Sequence, residues 1–138
     1  MARIGTKEEL RRIIAEPRPA TRVKILDALD EQSIEFLKRC PFALVGTTSA
    51  DGTVEVSPKG DEPGFIRVED PQTLLIPERV GNNLAFGLTN IIDTGQIGIL
   101  GRFRRYFRFF EVLAQGHHLV GLELGHHVGH GCAFALAG

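Results

Sequence analysis

The amino-acid sequence predicts an α+β fold in which helices precede an antiparallel sheet or small barrel. Three observations carry this. Apolar residues recur at helical spacing through the first 40 positions; from Pro41 the spacing becomes that of extended chain; and four short extended runs then follow one another, separated by turn formers. The 138 residues suit one domain, and 43% hydrophobic with 24% charged residues disfavours disorder, a collagen-like repeat or a disulfide-dense scaffold.

The elements follow in order. Thr6-Lys-Glu-Glu9 reads as a capping box, with Leu10, Ile13 and Ile14 forming one apolar stripe behind it. Pro17 and Pro19 end that helix, because proline lacks the amide donor and disfavours a helical residue before it. A second helix is expected over 21–29 and a third over 31–39, the latter capped by Asp30 with Ile34 and Leu37 turned inward. Phe42–Thr48 is rich in apolar and β-branched residues, Asp51-Gly52 marks a hairpin turn, and Val54–Ser57 alternates as a half-buried strand does. Gly64–Val68 and Thr73–Ile76 read as two further strands flanking the turn formers Glu69-Asp70-Pro71. Gly81-Asn82-Asn83 opens a segment with Leu84, Leu88, Ile91 and Ile92 at helical spacing and asparagine as the expected cap, and Gln96–Leu100 is one more strand.

Two segments carry more chemistry than their elements require. Val56–Phe65 is expected to be a loop holding Ser57, Lys59, Asp61, two Gly and two Pro; prolines lower the entropy of the free loop and glycines let backbone amides approach a ligand. Ile76–Asn83 places Arg79 ahead of a helix start, where unpaired amides and a planar guanidinium favour an anion such as phosphate. Taken singly, each also reads as ordinary architecture: a rigid connection with a solvated Lys59, and a capped helix with a surface Arg79.

In combination and in this order, Ser57-Pro-Lys-Gly-Asp-Glu-Pro-Gly-Phe65 and Ile76-Pro-Glu-Arg-Val-Gly-Asn-Asn83 resemble the FMN-binding split-barrel family related to pyridoxamine 5′-phosphate oxidase. Lys24–Asp30 and Phe36…Cys40-Pro-Phe42 match the same branch, so the resemblance covers about residues 5–100. It implies an antiparallel Greek-key split β-barrel with flanking helices and a homodimer with FMN in clefts between subunits. It implies flavin-dependent oxidoreductase activity on a small-molecule substrate. Carried over by position, it assigns cofactor binding to Ser57, Lys59, Gly60, Asp61, Arg79, Asn82 and Asn83. No residue is singled out as general base or nucleophile.

After Leu100 the sequence departs from the family, whose "Pro-Gly-x-x-Asp/Glu-Thr-Leu-Arg" stretch is absent. All five His lie at or beyond His117 and all seven Pro at or before Pro77, and residues 101–138 carry four Arg and two Glu in a chain of net charge −1. Codon choices for Arg102–Phe107 exist that, read one base on, encode Gly-Phe-Gly-Asp-Thr; a frameshift near codon 101 would account for the change. The organisation expected is a helical segment over 1–40, a split-barrel core over 41–100, and a tail over 101–138 that is disordered or belongs to the same domain with barrel strands missing or altered. The alternative function is a non-catalytic flavin-binding or truncated, frameshifted remnant.

The tail invites two other readings, both set aside. Arg102, Arg104, Arg105 and Arg108 alternate with aromatic residues as single-strand nucleic-acid binders do, but no known module accompanies them. His126 and His130 have ligand spacing for zinc or nickel, but the surrounding glycines argue against a rigid site, and no metal is expected. Cys40 and Cys132 show no CxxC spacing and are expected to be free thiols. No run reaches the ~20 apolar residues of a membrane span and the N-terminus is charged, so neither membrane nor nucleic-acid partners are expected and the cytoplasm is the default location.

Overall fold

A computed structural model describes residues 3–23, 25–79, 84–102, 109–115, 122–123 and 131–137. Helix α1 (Lys7–Ile13) begins at the expected capping box: Thr6 Oγ1 accepts from the Glu9 amide at 3.1 Å while the Glu9 carboxylate accepts from the Thr6 amide at 3.2 Å. Its apolar stripe is little covered among the described residues: no residue of α1 is buried, Leu10 is half-buried, and Ile13 and Ile14 are exposed.

The helix expected over 21–29 is corrected to a single turn, α2 (Pro19–Arg22), with Pro19 at its start, where a missing amide costs nothing. Val23, Ile25 and Leu26 are exposed, so the helical spacing there has no surface to bury against, and a short helix without tertiary contacts does not persist in water. The chain is instead tied down by the Leu29 amide, which donates to Pro71 O at 2.7 Å. Helix α3 (Glu31–Leu37) follows the sequence reading: Asp30 Oδ1 accepts from the Ser33 amide at 2.7 Å and Leu37 is fully buried. Those hydrogen bonds to Ser33 hold the Asp30 carboxyl below its ordinary range.

Strand β1 (Phe42–Thr48) lies between β2 (Val54–Gly60) and β5 (Gln96–Arg102), antiparallel to both, and β5 pairs in turn with β6 (Phe109–Gln115). The turn from β1 to β2 is built around Asp51. Its carboxylate takes the Thr53 amide at 3.0 Å and the Ser49 hydroxyl, which hold its pKa down at about 2, and Gly52 supplies φ +88°. A second sheet runs β3 (Arg67–Asp70), β4 (Thr73–Arg79), β8 (Gly131–Ala137), β7 (Leu122–Glu123), all neighbours antiparallel. The chain after Leu100 thus supplies β6 to one sheet and β7 and β8 to the other.

The strand expected over 64–68 starts only at Arg67, because Gly64 and Phe65 belong to a tight turn. Helix α4 (Phe86–Thr94) starts later than expected and is not capped by asparagine: its N-cap is Ala85, in the left-handed region at φ +49°, with no side-chain cap. Gly95, at φ +64°, ends it and donates to Ile91 O at 2.8 Å.

The core lies between the sheets. Ala43, Val45, Ile97 and Ile99 from one inner face meet Leu74 and Ile76 from the other, with Ile66, Leu37 of α3 and Ile91 of α4. Period-2 alternation is clean on β1 and β5, as a sheet with one buried face requires. Among the described residues no ladder joins the two sheets.

Candidate functional site: the inner row of strand β2

The expected loop at Ser57–Gly60 is strand. β2 runs through Pro58 to Gly60, with Ser57 opposite Val45, Pro58 opposite Leu44 and Lys59 opposite Ala43. Proline is tolerated because β2 is the edge of its sheet, where no ladder hydrogen bond is asked of its outward nitrogen. The consequence is positional. Alternation makes Glu55, Ser57 and Lys59 the half-buried row of β2, on the same face as buried Thr47, Val45 and Ala43, while Val54, Val56 and Pro58 lie exposed on the other.

The true turn is 61–66, and its preorganisation comes from contacts with the end of α3. The Asp61 amide donates to Pro41 O at 3.2 Å and the Gly64 amide to Cys40 O at 3.3 Å. Gly64 has φ +87°, and a Cβ there would sit 3.0 Å from Lys38 O; at Gly60 a Cβ would lie 3.3 Å from Pro41 O. Asp61 Oδ1 accepts from the Glu62 amide at 2.9 Å. The glycines and the aspartate of the motif therefore have structural work next to Lys38–Pro41, whereas Ser57 and Lys59 are the members on the inner face.

Lys59 meets an unforeseen partner. Its Nζ forms an ion pair with Oε2 of Glu78 on β4, with the two side chains only 17% and 24% exposed. This pair bridges the edge of one sheet to a strand of the other. Glu78 was legible in principle: it continues the alternation of buried Leu74 and Ile76, so period 2 carries a carboxylate onto the inner side of β4, where it needs a cation. Deeper along the same face, Thr47 is 4% exposed and its Oγ1 accepts from Asn90 Nδ2 of α4 at 3.1 Å.

Arg79, expected just ahead of a helix start, is the last residue of β4, opposite Gly131 of β8, and α4 starts only at Phe86. The expectations for Asn82 and Asn83 lie outside the described residues, as do those for the five His. The sequence reading groups Ser57 and Lys59 in one loop; the structure groups them on one strand face instead.

No family model and no curated protein matches the chain. Solved structures do. A variant of HupZ from Group A Streptococcus superposes with a TM-score of 0.58 at 18% identity, over 78% of this chain and 92% of that one. HupZ itself gives 0.58 at 17%, over 79% and 88%. The chain shares the HupZ fold. The likeness is one of architecture: helices with antiparallel sheets. No helix among the described residues is long and apolar enough to cross a membrane.

Proposed function

We propose that the chain is an FMN-binding flavoprotein, an oxidoreductase of the pyridoxamine 5′-phosphate oxidase-like class acting on a small-molecule substrate. The observation that carries this is the placement of the Ser57-to-Phe65 motif: its hydroxyl and its ammonium group stand two residues apart on one inward-facing row of an edge strand, beside the strand that ends in Arg79. A phosphate group wants a cation and hydrogen-bond donors held with little reorganisation, and a strand inside a sheet holds them better than a free loop. Lys59 would supply the charge and Ser57 a donor, with Gly60 and Asp61 fixing the strand end that carries them. Arg79, Asn82 and Asn83 complete the proposed set by their match to the motif. FMN supplies the redox chemistry when bound; the protein binds and orients it.

A homodimer belongs to the same reading. The outer face of the β2 and β1 edge, with Val54 69%, Val56 58% and Phe42 38% exposed, is the apolar surface a second copy would cover. A second reading, a non-catalytic flavin-binding or frameshifted remnant, is favoured by the loss of the family's C-terminal stretch after Leu100; it calls for flavin uptake without turnover, or for none.

Titration of FMN into the purified protein, followed by quenching of flavin fluorescence, tests the proposal. Saturable binding is expected, weakened by about 1.5–3 kcal/mol in Lys59→Gln if the ammonium group contacts phosphate. A protein that neither carries flavin nor takes up added FMN would sink it.

A further inference from the structure

We infer that Glu78 is a built-in competitor for the ligand's phosphate: an anionic ligand gains Lys59 only by displacing the Glu78 carboxylate from it. The identity of the ligand rests on the flavin reading above; the exchange itself needs only a phosphate group.

The charge on the inner row decides this. Within the seam the described titratable side chains are Glu55 and Lys59 of β2 and Glu78 of β4, two acids and one base, and the single ammonium group is already matched by Glu78. A phosphate entering beside Lys59 would meet an ion pair rather than a free cation, with a carboxylate at close range to repel it. Because both partners are largely shielded from water, that repulsion is weakly screened and cannot be dismissed as a surface effect. The pair also joins two sheets that no described ladder connects, so exchanging the partner of Lys59 releases a tie at the seam as the ligand enters. Glu78 would then serve two states. It holds Lys59 in place while the site is empty, and it sets the threshold that a ligand's charge must overcome. A dianionic phosphate clears that threshold better than a monoanionic carboxylate, which makes the exchange a selector for phosphorylated ligands.

Glu78→Gln keeps the shape and a carbonyl that accepts from Lys59 while removing the charge. Glu78→Asp keeps the charge and withdraws it by one methylene, and serves as the second variant should the first fail to fold. FMN, riboflavin and inorganic phosphate are the three probes, the first two read by flavin fluorescence and the third by the shift in Tm. Expected is FMN binding tightened about five-fold or more in Glu78→Gln, the size of a removed close-range like charge, and by a smaller factor of about two in Glu78→Asp, whose charge is only withdrawn, with riboflavin unchanged in both. The gain should vanish when Lys59→Gln is added. FMN bound equally or more weakly by the Glu78 variants would overturn the exchange and leave the flavin reading standing. A larger phosphate-induced Tm shift in the variants without FMN uptake would uphold the exchange and remove flavin as the ligand. Response to none of the three probes would overturn both.

Discussion

At Gly64 the physical demand on a single residue is plainest. Its φ of +87° lies where an L side chain is strained, and an added methyl would meet Lys38 O at 3.0 Å, a backbone atom that cannot swing aside. Gly64→Ala is expected to cost about 2–4 kcal/mol, combining left-handed strain with displacement of the α3 end, and denaturant unfolding checks it. Gly52 shares the left-handed conformation at φ +88° but has open space around its Cβ position, so strain alone acts there. The sequence marks the turn at Gly52 but reads Gly64 as the start of a strand, and contact with Lys38 distinguishes the two glycines. Lys59 and Glu78 repeat the lesson for charges: their residue types announce a cation and an anion, while their pairing depends on two sheets being folded face to face.

Elements differ in how much tertiary packing they have behind them. α1 and α3 have the same length and good N-caps, Thr6 and Asp30, but α3 buries Leu37 and α1 buries nothing. Removing each cap therefore has different consequences. Asp30→Ala is expected to lower global stability by about 1 kcal/mol, because α3 is part of the core. Thr6→Ala should fray α1 and leave Tm nearly unchanged, read by circular dichroism and hydrogen exchange; an equal fall in Tm for both would mean that α1 is packed in solution. The same contrast explains which helices the sequence foretold. The caps of α1 and α3 are local chemistry and appear as expected, whereas the spacing of Val23, Ile25 and Leu26 looks helical and yields only the turn of α2, with those residues exposed. β1 is matched residue for residue by its run of apolar and β-branched side chains, since both of its neighbours are in place and its inner face is the core.

For the whole molecule, the exposed aliphatic residues are the open account. Ile4, Ile13, Ile14, Val23, Ile25 and Leu26 near the N-terminus are exposed, as are Val54 and Val56 on the outer face of β2. A second copy covering the outer face of β2 is expected to give a dimer in sedimentation equilibrium, and Val54→Lys with Val56→Lys should shift it to monomer without loss of fold. A wild-type monomer at tens of micromolar would remove that interface from the proposal. The inner row of β2 was partly legible: the motif singled out Ser57 and Lys59, though as loop residues, while the Lys59–Glu78 pair and the Asn90–Thr47 hydrogen bond went unseen because each joins residues distant in sequence.

The sequence by itself determined the caps of α1 and α3, the turn at Asp51-Gly52 and the strands β1 and β5, because these follow from backbone preference and periodicity within a few residues. Only the tertiary structure decided that the motif's first half is an edge strand and that Lys59 answers to Glu78. It also decided that the chain beyond Leu100 supplies strands to both sheets. Those outcomes depend on which surfaces meet, and the meeting of surfaces is set by burial and charge across the whole chain rather than by any stretch of it.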